Sequence, residues 1–184
     1  YIPHRHEEGF GVNLLGVEKL AREGTKVLIT VDCGITDVAP IARATELGMD
    51  VILTDHHMPG DVMPPAFAVI DPKQSWETSA FRDYCAGGLA WKLACAVLAH
   101  GFTGRENIPL GWEKWLLDMA GLSTIADMVP LIGENRVIAK YGLLVMRKSP
   151  RMGLQKLCSA ARVNQRMITE DDVGFMIAPR VNAA

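Results

Sequence analysis

The sequence has no long hydrophobic run, no CxxC pair of cysteines, no internal repeat and little net charge. No apolar stretch approaches the roughly 20 residues that a membrane-spanning helix needs, and no signal-peptide pattern opens the chain. The four cysteines therefore predict reduced thiols in a cytoplasmic protein without a membrane partner. Apolar residues make up 49% of the 184 residues, which excludes a disordered chain and suffices for one good-sized domain.

The net charge is only −2, but it is unevenly distributed. Residues 1–135 carry 10 Lys and Arg against 18 Asp and Glu, a balance of −8. Residues 136–184 carry 9 against 3, a balance of +6. An acidic front followed by a basic tail suits a metal site beside a surface that binds a polyanion. An uneven but solvated surface is the alternative.

Two short apolar runs, each followed by an acidic motif, are the strongest structural signal. The runs are Lys26–Val31 and Asp50–Thr54, and the amphipathic segment Thr36–Gly48 between them predicts a helix. Strand, helix and strand in this space predict a βαβ unit with neighbouring parallel strands. A third strand, buried on both faces, is predicted at Ala66–Ile70. The fold class is therefore α/β, a parallel sheet flanked by helices and followed by a mainly helical C-terminal part.

The remaining segments predict helices. They are Val12–Glu23, Gly87–His100, Glu113–Asp127, Asn135–Lys148, Gly153–Ala161 and Thr169–Ile177. The third of these carries an apolar stripe that includes Trp115 and Met119. The last opens with a capping-box pattern in which Asp172 replaces the usual Glu or Gln.

Both acidic motifs follow the carboxyl ends of parallel strands, where α/β sheets place their ligand sites. Asp32 is placed either to bridge two cations or to cap the next helix. Asp55, His56 and His57 form either a polar loop or a tight turn in which both imidazoles face the cleft, one toward metal and one toward substrate. Asp55 could orient an imidazole through its other ring nitrogen.

Two further charged residues stand out in the helical part. Asp127 ends an apolar helix, where a charge is costly to bury unless it is paired or coordinated, so it is a candidate ligand. Arg180 follows Pro179 on a predicted turn, from which a guanidinium can fork onto a phosphate, and Arg5 could do the same. A surface salt bridge is the alternative for both. Asp118 is read as a solvated or capping carboxylate.

With these motifs assembled, the chain resembles the DHH phosphoesterase superfamily, and within it the exonucleases that digest single-stranded DNA from the 5′ end. The similarity is collinear and runs along nearly the whole chain. It rests on the segments 2–5, 8–11, 31–35, 54–57, 69–73, 88–93, 124–131, 133–136 and 177–184.

The resemblance implies a role for each candidate residue. Catalytic residues would be Asp32, His56, His57 and Asp127, with metal held by Asp32, Asp55, His56 and Asp127, and substrate contacted by His57, Arg180, Asn182, Arg5 and His4. The cofactors would be two Mn²⁺ or Mg²⁺ ions in the complete protein. The partners would be single-stranded DNA and a single-strand-binding protein or helicase, in DNA repair and recombination.

The resemblance also implies a domain plan. Residues 1–135 would form the α/β catalytic core without the family's first metal-binding motif, an Asp-x-Asp pair expected upstream of Tyr1, and residues 136–184 a helical, basic continuation. The family's second, DHHA1-type domain is absent from this sequence, so the segment alone is expected to be inactive. The alternatives are a phosphodiesterase or pyrophosphatase acting on small substrates, and an inactive nucleic-acid-binding replication subunit.

Overall fold

A computed structural model describes His4, His6 and residues 8–183, which divide into two compact units, Tyr1–Arg82 and Asp83–Ala184. The first unit is the α/β part and the second is helical, as the fold class predicted. This division into two units does not test the predicted domain boundary at residue 135, which stays a prediction. In the described part of the chain, no helix is both long enough and apolar enough to cross a membrane.

The first unit is built on a three-stranded parallel sheet. The elements are α1 (Leu14–Arg22), β1 (Val27–Val31), α2 (Val38–Glu46), β2 (Asp50–Thr54) and β3 (Ala68–Ile70). The strand order is β1-β2-β3, with Val27 opposite Asp50 and Ile52 opposite Ala68. The βαβ unit and its parallel pairing are therefore confirmed.

The helices of this unit pack against the sheet around a small apolar core. Val17 of α1, Ile41 of α2 and Val51 of β2 are almost fully buried and belong to one cluster. β3 is half-buried along its length, so the expectation of burial on both faces was wrong. The reason is its place at an edge of the described sheet, whereas the central strand β2 is buried at Val51 and Leu53.

The second unit contains five α-helices in its described residues. They are α3 (Ala86–His100), α4 (Leu117–Ala126), α5 (Gly133–Met146), α6 (Met152–Ala160) and α7 (Ala178–Asn182). Helices α4 and α5 cross closely at Gly121 and Gly142, where a Cβ on Gly142 would lie 2.6 Å from the Gly121 Cα. Glycine is needed at this crossing because any side chain would meet rigid backbone.

Two predicted elements differ from the structure. The helix predicted from Glu113 begins as a 3₁₀ helix, Trp112–Leu116. A 3₁₀ helix has fewer residues per turn than an α-helix, so the apolar residues do not stay on one face into α4. Trp115 and Met119 are therefore exposed, and the predicted stripe is not buried there. The helix predicted at Thr169–Ile177 is a π-helix over Asp172–Ile177. Its capping box is present, because the Asp172 carboxylate accepts from the Thr169 N–H at 3.0 Å and the Asp172 N–H donates to the Thr169 hydroxyl at 3.3 Å.

Candidate metal centre

Each strand of the sheet is followed directly by an aspartate. Asp32 follows β1, Asp55 follows β2 and Asp71 follows β3. The Asp32 N–H donates to the Thr54 carbonyl and the Asp55 N–H to the Ile70 carbonyl, both at 3.0 Å, so the ladder continues one residue beyond each strand. Because parallel strands end at the same edge of a sheet, the three carboxylates line one edge.

Asp32 leaves the strand in an unusual conformation. Its φ of 68° lies in the left-handed region, which is costly for a residue other than glycine and is often found at functional sites. The turn then closes through Gly34, whose added Cβ would lie 3.1 Å from the Thr30 hydroxyl and 3.3 Å from Leu53. This turn leaves the Asp32 side chain 58% exposed, with its Oδ1 3.1 Å from Nε2 of His56.

Asp55 lies beneath the site and is almost fully buried. Its Oδ2 accepts the N–H of Ile35 at 3.0 Å, and its Oδ1 accepts the N–H of His56 at 2.8 Å and of His57 at 3.3 Å. Burial by itself raises the pKa of this carboxyl, but these backbone hydrogen bonds and the His57 ring outweigh burial and hold the pKa below its usual range. Asp55 is therefore a carboxylate at neutral pH.

The charge on Asp55 fixes the orientation of His57. Nδ1 of His57 lies 2.7 Å from Oδ1 of Asp55, and a carboxylate can only accept, so Nδ1 carries the proton and donates. The other nitrogen, Nε2, then presents its lone pair away from Asp55. A carboxylate–imidazole contact of this type is what the sequence motif predicted.

Three side chains converge into a group that could hold one metal ion. One ligand atom each from Asp32, His56 and His57 lies within 4.8 Å of the other two. The two imidazole centroids are 4.5 Å apart, so the adjacent histidines share one side of a turn. Imidazole and carboxylate together suit a divalent transition-metal ion.

The surroundings are electrostatically negative, which favours a cation. The pKa of the Cys33 thiol is raised first by burial and then by the charges of Asp55, Asp37 and Asp32, so several carboxylates act on one point. A cavity of about 250 Å³ opens beside the group, lined by Phe10, Asp32, Asp55 and His57 among others. The site therefore combines ligands, negative potential and room for a substrate group.

Asp71 is a residue of this edge that the sequence analysis did not single out. It is buried, its Oδ1 accepts the Lys73 N–H at 2.7 Å, and its Oδ2 has no hydrogen-bond partner among the described residues. Burial raises its pKa, and the charge of Asp55 raises it further. Its position after the third parallel strand was the sequence signal that could have found it.

The other predicted site residues lie elsewhere. Asp127, at the C-terminal end of α4, is exposed and belongs to the second unit, so its role as a ligand stays a prediction. Arg180 and Asn182 belong to α7 of the same unit. The turn predicted around Arg180 was wrong because proline is tolerated in the first turn of a helix. Arg180 Nη1 donates to the Met176 carbonyl at 2.6 Å.

At the start of the chain, His4 is exposed, and its N–H donates to the Glu8 carboxylate at 2.6 Å. Arg5 lies outside the described residues. The structure therefore groups Asp32, Asp55, His56 and His57, and the predicted substrate contacts of His4 and Arg5 stay predictions.

A carboxylate–histidine group at the carboxyl edge of a parallel sheet is typical of α/β domains that bind metal ions. Comparison with known proteins identifies the family. The family model "DHH family, N-terminal domain" matches residues 1–123. The chain belongs to the DHH family.

Similar proteins carry one common name. The single-stranded-DNA-specific exonuclease RecJ of Bacillus subtilis is 42% identical over 183 aligned residues, with a coverage of 100% of this chain and 22% of that protein. RecJ of Escherichia coli is 34% identical over all of this chain and 33% of its own length. The chain therefore spans between a fifth and a third of these relatives.

Solved structures agree with the fold. The crystal structure of exonuclease RecJ bound to manganese matches with a TM-score of 0.82 at 37% identity, over all of this chain and 44% of that one. RecJ of Thermus thermophilus in complex with Mn²⁺ matches with a TM-score of 0.75 at 33% identity, over 93% of this chain and 24% of that one. The expected resemblance to the RecJ branch of the superfamily is therefore confirmed.

Proposed function

We propose that the chain supplies part of the metal-dependent active site of a single-stranded-DNA-specific exonuclease that hydrolyses phosphodiester bonds from the 5′ end. The observation that carries the proposal is the group formed by Asp32, His56 and His57 at the sheet edge. The similarity to the RecJ exonucleases, over the whole of this chain, supports the substrate class.

In this proposal Asp32, His56 and His57 hold a Mn²⁺ or Mg²⁺ ion, consistent with the metals named for the related RecJ structures. Such an ion supplies Lewis-acid stabilisation of the charge that develops on a phosphodiester during hydrolysis. Asp55 keeps the His57 lone pair on Nε2 and holds the turn through its backbone hydrogen bonds. His57 is the more exposed imidazole and lines the cavity beside the group, where this proposal puts the substrate phosphate.

A second ion is part of the family resemblance and needs more ligands than these three. Asp55 and Asp127 are the candidates that the resemblance names in this chain, together with carboxylates outside this sequence. Arg180, Asn182, Arg5 and His4 are proposed to contact the nucleic acid, supported by the basic balance of residues 136–184.

The cellular setting belongs to the same proposal. A role in DNA repair and recombination, with a single-strand-binding protein or helicase as partner, rests on the resemblance alone. A cytoplasmic location is supported by four free cysteines and no disulfide among the described residues.

The test measures product release from a 5′-labelled single strand, from the same strand in a duplex, and from a dinucleotide, each with Mn²⁺ and with EDTA. It uses the 184-residue chain and a longer protein that contains it. We expect Mn²⁺-dependent cleavage of the single strand by the longer protein. The matched variants are Asp32→Ala in the site and Asp61→Ala, which alters an exposed loop carboxylate.

The outcomes separate the candidate functions. Asp32→Ala should abolish cleavage while Asp61→Ala leaves it intact. An Asp32→Ala protein with the wild-type rate would refute the proposal. Preference for the dinucleotide would favour the small-substrate alternative, and strand binding without any product would favour the binding subunit.

A further inference from the structure

We propose that the second unit carries a base-stacking site for single-stranded DNA, formed by Trp112, Trp115 and Arg151. The site lines a cavity of about 340 Å³, together with Pro150 and Asp118. It rests on the proposed function for its ligand class, but it lies outside the candidate metal centre and uses none of that centre's residues.

Both tryptophans line the same cavity, and the local backbone places them on one face. They are three residues apart in the 3₁₀ helix Trp112–Leu116, in which residues i and i+3 eclipse on the same face. The helix is fixed from below, because Nε1 of Trp91 donates to the Glu113 carbonyl at 3.0 Å. Trp112 and Trp115 are nevertheless 43% and 48% exposed, so two of the largest apolar side chains of the chain present ring surface to solvent.

A cation is held in a fixed position beside these rings. Nε of Arg151 donates to Oδ2 of Asp118 at 2.8 Å, and the same oxygen accepts from the Ser149 hydroxyl at 2.6 Å. Asp118 is almost fully buried because partners from the α5–α6 connection cover it, so of the two predicted alternatives the solvated carboxylate was wrong. Its other oxygen, Oδ1, accepts the Met119 N–H in the first turn of α4 at 2.8 Å. The Arg151 side chain itself is 41% exposed. The Nη groups of Arg151 carry N–H donors that this anchor does not use.

Indole faces beside an oriented guanidinium match the chemistry of an unpaired nucleobase. Sites for single-stranded nucleic acid stack bases on aromatic side chains and add an arginine or lysine, and stacking tolerates any base. Glu113 and Lys114 both lie between the two tryptophans in sequence and their charges balance, so the cation that the site offers to a strand is Arg151. The larger cavity along α5, of about 420 Å³, is lined by aliphatic and basic residues and by Glu170. It has no aromatic ring among its described lining residues, so it offers no comparable platform.

The experiment follows intrinsic tryptophan fluorescence and the anisotropy of a labelled oligothymidylate in EDTA, so that the strand is not cleaved and the metal centre is not loaded. Trp112 and Trp115 are changed together to Leu, which removes the rings, and together to Phe, which keeps them. Trp76→Phe is the matched control, because Trp76 is an exposed tryptophan of the first unit. A competitor strand with abasic sites keeps every phosphate and lacks the bases.

We expect the strand to quench fluorescence in the wild type and in Trp76→Phe, and not in the Leu variant. Affinity should fall about ten-fold or more in the Leu variant and stay within about three-fold in the Phe variant. The abasic strand should compete at least about ten-fold less well against the wild type. Three outcomes would overturn the inference. They are a Leu variant that binds the strand as tightly as the wild type, an abasic strand that competes as well as the intact strand, and a wild-type protein that does not bind the strand at all.

This design separates the inference from the proposed function. If the longer wild-type protein shows no Mn²⁺-dependent cleavage while the strand still quenches the fluorescence of Trp112 and Trp115, the exonuclease function is refuted and the stacking site remains. Normal cleavage with no ring-dependent affinity would refute the stacking site and leave the exonuclease. Quenching by a proline-rich peptide that is lost in the Leu variant, together with unchanged strand affinity in that variant, would assign the rings to a protein partner instead.

Discussion

Replacing Asp55 with Asn probes the support of the candidate metal centre with a change of one atom. The carboxylate accepts backbone N–H groups on both oxygens, from Ile35 on one and from His56 and His57 on the other. An amide has only one acceptor oxygen, so in either orientation its NH₂ group faces a backbone N–H. One charge-assisted hydrogen bond is lost outright, which costs about 3 kcal/mol of unfolding free energy.

That cost is measurable by thermal unfolding. For a chain of this length, about 3 kcal/mol corresponds to a fall in Tm of roughly 6–12 °C. The effect must also depend on pH. The folded-state pKa of Asp55 lies below its unfolded value, so its contribution is present at neutral pH and is lost as pH falls through the folded-state pKa. The difference between wild type and Asp55→Asn should therefore shrink in acid.

The same change should weaken metal binding without removing any of the three clustered ligands. In either orientation of the amide, the Nδ1–H of His57 loses its charged acceptor, so the Nε2 lone pair becomes a weaker ligand and Mn²⁺ affinity should fall about 10- to 100-fold. Calorimetric titration with Mn²⁺ measures this, with Asp61→Asn as the control at an exposed position. Unchanged Tm and unchanged Mn²⁺ affinity in Asp55→Asn would refute the reasoning.

Three further changes test other parts of the account. Gly142→Ala should lower the unfolding free energy by about 1–3 kcal/mol, because its methyl group would lie 2.6 Å from the backbone of α4. Gly153→Ala, which has open space around it, should raise the unfolding free energy by up to about 1 kcal/mol. Denaturant titration measures both variants, and equal effects would contradict the close crossing of α4 and α5. The raised pKa of Asp71 means that the folded state binds this proton more tightly than the unfolded state, so the wild type should lose stability as pH rises through that pKa. Asp71→Asn should remove this loss, and an unchanged profile of stability against pH in the variant would contradict the reasoning. Asp37→Ala should free the loop at Val12, whose N–H it binds at 2.7 Å, and increase hydrogen exchange there; full protection in the variant would show that the contact is dispensable.

Much of the first unit followed from local pattern. The apolar run Asp50–Thr54 is β2 with the same bounds, because a buried central strand leaves a continuous apolar signal. The aspartates after β1 and β2 could be placed at one edge from topology alone. The contact between Asp55 and His57 was anticipated as chemistry, but its partners at Ile35 and the left-handed conformation of Asp32 are tertiary features that no local pattern encodes.

The second unit shows where local pattern fails. Trp115 and Met119 fit an apolar helical stripe, but the 3₁₀ start alters the phase and leaves both exposed. Asp118 gives no sign of burial in its own segment, because Ser149 and Arg151, which cover it, lie about thirty residues away. Asp71 was overlooked because a turn-forming Asp-Pro pair explains such a residue without any site.

The most direct test of the central claim is a Mn²⁺ titration of the protein and of its His56→Ala variant, followed by calorimetry and by the electron paramagnetic resonance of the free ion. The account predicts one Mn²⁺ site per chain from Asp32, His56 and His57, with at least about ten-fold weaker binding when His56 is removed. Wild-type protein that binds no Mn²⁺, or a His56→Ala variant that binds it as well as the wild type, would contradict the account.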